Sequence, residues 1–74
     1  MPELPRISGL EAVRVFGRLG FRQVRQRGSL VVLRRGGLGC VVPLHKSLAV
    51  GTLRNAIRQA GISPADFVAA YEGG

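Results

Sequence analysis

The sequence predicts an α+β fold, a two-layer αβββα sandwich closed by a short C-terminal helix, and three observations carry that prediction. A helical apolar stripe opens the chain, a β-prone middle punctuated by glycine follows, and a second helical stripe comes after it. The three strands are expected to form one antiparallel sheet with the two main helices on one of its faces. Seventy-four residues make one domain, 1–74, near the size at which a single apolar core only just suffices. No repeat, linker or low-complexity stretch divides it.

Ser8-Gly9-Leu10-Glu11 has the spacing of a capping box, in which a serine and a glutamate satisfy two orphan N–H groups at a helix start. Leu10, Val13, Phe16 and Leu19 then recur at helical spacing, and Gly20 supplies a left-handed close. A first helix is expected over Gly9–Leu19, with Arg14 and Arg18 one turn apart on its wet face. Phe21–Arg25 reads as a short, half-polar strand and Gln26-Arg27-Gly28 as a turn. Ser29–Arg34 is the most β-prone segment; its run Leu30-Val31-Val32-Leu33 reads as a strand buried on both faces.

Arg35-Gly36-Gly37-Leu38-Gly39 is expected to be a hairpin turn, because paired glycines accept the positive φ such turns require. Cys40–Pro43 is the third strand, ended by its proline, and His45–Val50 a connecting loop. Leu53, Ala56, Ile57 and Ala60 fall at i, i+3, i+4 and i+7, the stripe of a second helix closed by Gly61. Ser63 at an N-cap, Pro64 at the first helical position and Asp66 in the first turn start a third helix over Pro64–Tyr71. A fraying Gly73-Gly74 tail follows.

Charge is more informative than hydropathy. The net charge is +7, and the four acids, Glu3, Glu11, Asp66 and Glu72, all lie near the chain ends. Between Ala12 and Ala65 there is no acid, while Arg14, Arg18, Arg22, Arg25, Arg27, Arg34, Arg35, Lys46, Arg54 and Arg58 lie inside. A merely solvated surface would intersperse both signs. A GC-rich coding sequence explains arginine over lysine but not the missing acids. Arginine's planar fork matches phosphate oxygens and stacks on bases, so a nucleic acid is the expected partner, RNA before DNA. An acidic protein is the competing partner, and the two are compatible if both use one face.

The residue inventory excludes several chemistries. Cys40 is the only cysteine, so no internal disulfide forms, which suits a reducing cytoplasm. No apolar run reaches the roughly 20 residues that span a bilayer, and Met1-Pro2-Glu3-Leu4-Pro5-Arg6 lacks the apolar stretch of a secretory signal. One histidine, one cysteine and four terminal acids do not supply the clustered ligands of a zinc or magnesium site; neither a metal nor any other cofactor is expected. The glycine run lacks the Lys-Ser/Thr ending of a phosphate-binding loop. Ser29 and His45 could converge, but no acid in the middle of the chain could orient the imidazole. What remains is metal-free cleavage of RNA by its own 2′-OH, which needs a base, an acid and cations around the phosphorane. His45 is the only histidine, the side-chain type suited to proton transfer near neutral pH; its plainer role is that of a loop histidine bonding backbone.

Leu19-Gly20-Phe21, Gln26-Arg27-Gly28-Ser29, Val42-Pro43-Leu44-His45, Gly51-Thr52-Leu53-Arg54 and Gln59-Ala60-Gly61-Ile62-Ser63, ending in Asp66-Phe67, together resemble the HicA (YcfA-like) family of mRNA interferase toxins. The match runs in order from about Leu10 to Phe67. The resemblance implies a fold like that of double-stranded RNA-binding domains and cleavage of mRNA without a metal. It also implies neutralisation by a cognate HicB antitoxin that covers the active face. The family's catalytic histidine lies in a Gly-Ser-His triplet on the second strand, and here the triplet reads Gly28-Ser29-Leu30. Leucine neither accepts nor donates a proton. Three readings follow: an inactivated variant, which is preferred; a natural degenerate member that still binds RNA or antitoxin; or residual catalysis by His45. The resemblance puts Leu30 on the open, substrate-facing side of the sheet, an exposed apolar residue unless a partner covers it. RNA is expected to be gripped by Arg14, Arg18, Arg22, Arg25, Arg27 and Lys46.

Overall fold

A computed structural model describes residues 3–73; the readings of Met1, Pro2 and Gly74 lie outside the described residues. The elements are α1 (Gly9–Arg18), β1 (Arg22–Arg27), β2 (Leu30–Arg35), β3 (Leu38–Pro43), α2 (Val50–Ala60) and α3 (Pro64–Gly73). The strands form one antiparallel sheet in the order β1-β2-β3. Val31, Leu33, Cys40 and Val42 point from its inner face into a core shared with Ala12, Val15 and Phe16 of α1, Leu53, Ala56 and Ile57 of α2, and Phe67 of α3. The result is the predicted α+β sandwich, consistent with a double-stranded RNA-binding-domain-like fold.

Local sequence explains most element boundaries. Ser8 Oγ accepts from the Glu11 N–H at 3.1 Å while Glu11 Oε1 accepts from the Ser8 N–H at 3.2 Å, the reciprocal bonds of a capping box. Gly9 then passes so close to the end of β3 that a Cβ placed on it would lie 2.8 Å from Leu44 Cα and collide with the Pro43 carbonyl oxygen. Its own N–H donates to the His45 carbonyl at 2.9 Å. Glycine at position 9 therefore lets α1 start directly against the sheet. The third helix docks through Phe67, whose ring centroid lies 5.2 Å from that of Phe16, and Phe16 meets Phe21 edge-on at 5.5 Å.

Several expectations are corrected. The turn after β1 is not Gln26-Arg27-Gly28: β1 continues to Arg27 and the loop is Gly28-Ser29 alone. Gly28 has φ +57° and Ser29 has no positive φ, the pattern of a two-residue type II′ hairpin turn. Gly36-Gly37 repeats it, so β3 begins at Leu38 instead of Cys40. Strand β2 is not buried on both faces: Val31 and Leu33 are buried, but Leu30 is 44% exposed. In α1 the buried stripe is Gly9, Ala12, Val15 and Phe16, whereas Leu10 is exposed and Val13 and Leu19 are only half-buried. The second helix starts at Val50, and the third extends to Gly73.

Candidate nucleic-acid interface

The helices lie on the inner face of the sheet, and they leave its outer face uncovered. Residues of β2 alternate, so Leu30, Val32 and Arg34 share this open face while Val31 and Leu33 point inward. On β1 plain alternation would send Arg22 and Arg25 to opposite faces, three residues being an odd step. The register prevents that: Gln23 pairs with Leu33 but Arg25 with Val32, leaving Val24 as the extra residue of a β-bulge. An extra residue flips the facing of everything beyond it. Arg22 thus stands opposite Arg34, Arg25 opposite Val32 and Arg27 opposite Leu30, all on the open face. Gln23 and Gln26 share the other side, where the amide of one donates to the other at 3.3 Å.

One end of this face gathers the residues singled out around the triplet. Leu30 lies between Arg27 on β1 and Pro43 on β3. The Leu44 N–H donates to the Ser29 carbonyl at 2.6 Å, carrying the β2–β3 register one step past the last strand pair. His45 and Lys46 follow directly and are exposed, as are Gly28 and Ser29. Gly28, Ser29, Leu30, Arg27, His45 and Lys46 therefore cluster where the first hairpin meets the loop after β3.

Arg14 and Arg18 are placed elsewhere. Both lie on the helical side of the molecule, in a hollow with Glu11 and Tyr71. Arg18 Nη1 donates to the carbonyls of Ala70 (3.1 Å) and Tyr71 (3.4 Å), satisfying late carbonyls of α3 as a cation near a helix C-terminus can. These two arginines are not brought together with Arg22, Arg25 and Arg27.

Arg34 is the open-face residue that sequence reading left out of the binding set. It and Arg35 are consecutive and so point to opposite faces. Arg35 is engaged on the inner side, with Nη1 donating to the Leu19 carbonyl at 2.7 Å. The Arg34 side chain makes no hydrogen bond among the described residues. Its facing depends on which side of β2 is inward, and in Leu30–Leu33 four consecutive apolar residues hide that alternation.

No acid stands on any strand. Glu11 bonds Ser8, and Asp66 accepts from the Ser63 N–H at 3.5 Å. The strands thus carry cations and no acid on the open face, with apolar side chains set among the cations: Val24, Leu30 and Val41 are exposed and Val32 half-buried. Such a surface suits a polyanion that also offers apolar surface. Burial pushes the Cys40 thiol up to about 11, and it points into the core, away from this face. Among the described residues no group of three or more His, Cys, Asp or Glu side chains could hold a metal ion. No helix there is long and apolar enough to cross a membrane.

A sequence model of the family described as "HicA toxin of bacterial toxin-antitoxin" matches residues 9–62, well over half the chain. The match spans α1 through α2 and so includes the whole sheet. No curated protein and no solved structure gave a match.

Proposed function

The chain belongs to the HicA toxin family, and from that membership we propose that it is an mRNA-binding scaffold of the metal-independent endoribonuclease type whose cutting step is disabled at Leu30. As a HicA-family protein it is the toxin component of a toxin–antitoxin system, with a cognate antitoxin as its partner. The observation that carries the finer reading is the position of Leu30. It is exposed on the open face beside Arg27 and next to the Gly28-Ser29 turn, where the family pattern has its catalytic histidine.

Metal-free cleavage proceeds by removal of the 2′-OH proton, attack of the 2′-oxygen on phosphorus, and departure of the 5′-oxygen with a proton gained. A base and an acid have to reach the scissile group, and cations have to stabilise the phosphorane. Arg27 and Lys46 supply the cations at this end of the sheet. Leu30 supplies no proton transfer, and His45, the one imidazole nearby, would have to do the work of two groups. Binding without cutting is the expected behaviour.

The deciding experiment incubates the chain, and a Leu30→His variant, with purified mRNA in EDTA. Cleavage by the variant alone supports the reading. Cleavage by neither would sink the ribonuclease assignment, and cleavage by the unaltered chain that His45→Ala abolishes would assign the chemistry to His45. A second reading, a non-catalytic module for RNA or antitoxin, is favoured by the exposed Val24, Leu30 and Val41 on one face, because surface of that kind is usually covered in use. RNA affinity that falls steeply with salt, together with antitoxin binding but no cleavage by Leu30→His, would select it.

A further inference from the structure

We propose that Arg34, with Arg25 across a floor of Val24 and Val32, forms a phosphodiester-binding subsite at the opposite end of the open face from Leu30. It would hold the RNA strand in register at a distance from the position of cleavage. The inference rests on the RNA-binding reading above and deepens it.

Arg25 and Arg34 wall an open depression of about 480 Å³ floored by Val24 and Val32. Arg22 stands directly opposite Arg34 across the strand pair. Like charges directly opposite each other in a sheet are destabilising, and no carboxylate on any strand relieves this pair. A bound anion would.

The arrangement is built, not incidental to a basic surface. The bulge at Val24 is what turns Arg25 to the face that Arg22 and Arg34 share. On the other flank, Arg34 lies over Gly39, where a Cβ would sit 3.5 Å from its Cγ and 4.0 Å from its Nε. The missing side chain at position 39 gives the arginine stem a bed against β3. Each of the two guanidinium groups at this depression offers a planar fork of donors to phosphate oxygens. The valine floor takes the apolar side of the adjoining ribose or base. Arg34 lies four positions along β2 from Leu30, roughly 13 Å along an extended strand, so one short stretch of RNA can occupy both ends of the face.

The test measures the affinity of the full chain for a fluorescein-labelled, unstructured oligoribonucleotide over a salt series. The variants are Arg34→Gln, Arg25→Gln and the double variant, with Arg27→Gln as a probe of the Leu30 end and Arg54→Gln on α2 as a control. Each single change in the subsite is expected to weaken binding several-fold and to reduce the slope of log K against log salt by about 0.7, the loss of one single-strand phosphate contact. The double variant is expected to lose little more slope than either single, because both arginines hold one phosphate. Arg54→Gln should change neither quantity. Thermal melting of Arg34→Gln should be unchanged or shifted upward, since the residue is exposed and faces a like charge. Unaltered affinity and slope in Arg34→Gln, with binding weakened in Arg27→Gln, would overturn the subsite and leave the RNA-binding reading standing. Slope losses that add in the double variant would overturn the shared clamp. Failure of the unaltered chain to bind the oligonucleotide would remove the RNA-binding reading and the subsite together.

Discussion

The guanidinium carbon of Arg35 lies 4.9 Å from the centroid of the Phe21 ring, and the same side chain donates a 2.7 Å hydrogen bond to the Leu19 carbonyl. One residue of β2 thereby ties down the end of α1 and the start of the chain's turn into the sheet. The bond satisfies a carbonyl that the helix itself leaves open, and the stem crosses Gly20, passing 3.2 Å from where its Cβ would be. Arg35→Lys keeps the charge but loses the planar stack and the fork geometry. The expected cost is about 1–2 kcal/mol, which for a domain of this size lowers Tm by roughly 4–8 °C per kcal/mol. An unchanged Tm would show that the arginine is merely a solvated cation lying along the ring.

Gly9 marks the closest approach of helix to sheet, and the backbone of Pro43 and Leu44 is what a Cβ there would strike. Backbone cannot rotate away as a side-chain tip can, so Gly9→Ala has to push α1 off the end of β3. Overpacking of this kind costs typically 1–3 kcal/mol, about 1 or more being expected here. Because Gly9 also donates to the His45 carbonyl, the displacement should reach the loop beside Leu30. Amide exchange at Gly9 and in the loop after β3 is expected to accelerate along with the fall in Tm. By contrast Gly17→Ala, where nothing lies within 4 Å of the new methyl, is expected to stabilise the helix by roughly 0.5–1 kcal/mol.

Cys40 provides a pH dependence whose direction follows from burial. In the unfolded chain its thiol ionises near 9.0, while in the fold burial raises it to about 11. Stability linked to the neutral thiol is complete below about pH 9 and is lost as the pH climbs towards 11, by up to roughly 2–3 kcal/mol for a shift of this size. Cys40→Ala removes the group, so its Tm should fall less steeply over that window even though its Tm near neutrality is lower. Thiol reagents are expected to label the native protein slowly at pH 8, at a rate set by opening of the sheet. Fast labelling at pH 8, or parallel Tm–pH curves for the two chains, would remove the burial effect.

Those three sites also show what could be read from the sequence. The Ser8/Glu11 box, the Leu53–Ala60 stripe and the Ser63-Pro64 start announced themselves, since each depends on neighbours within a turn of helix. The start of α2 did not: Ala49 is its N-cap and offers no side-chain bond, so no residue signalled Val50. The length of β1 was hidden because Gln26 and Arg27 are polar, and only cross-strand pairing to Val31 and Leu30 holds them extended. The candidate residues on β1 and at the triplet stood out because charge and motif coincide there, and the strand register brings Arg22, Arg25, Arg27 and Leu30 to one face. The bonds of Arg18 to the Ala70 and Tyr71 carbonyls were not legible, because they depend on where α3 docks. The facing of Arg34 was hidden by the four consecutive apolar residues Leu30–Leu33, and that of Arg25 by the bulge at Val24.

The Leu30 end of the face yields the most specific expectation. Leu30 is 44% exposed, so Leu30→His removes little buried apolar surface and should alter stability by no more than about 0.5 kcal/mol. The imidazole it introduces would stand opposite Arg27, where cross-strand side chains begin about 4.5–5.5 Å apart at Cβ. A neighbouring positive charge disfavours the protonated ring, so its pKa should lie below the usual value of about 6.5. Acting as the base, the ring has to be neutral; kcat/KM for RNA cleavage should therefore fall as pH drops through that lowered value. Adding Arg27→Gln removes the opposing charge and should move the acidic inflection upward, towards about 6.5, while weakening RNA binding. His45→Ala on the same background tests the acid: if His45 protonates the leaving oxygen, the alkaline limb of the profile disappears and the acidic limb stays. An acidic inflection that does not move when Arg27 is neutralised would mean that the introduced imidazole does not face Arg27 as the strand register requires.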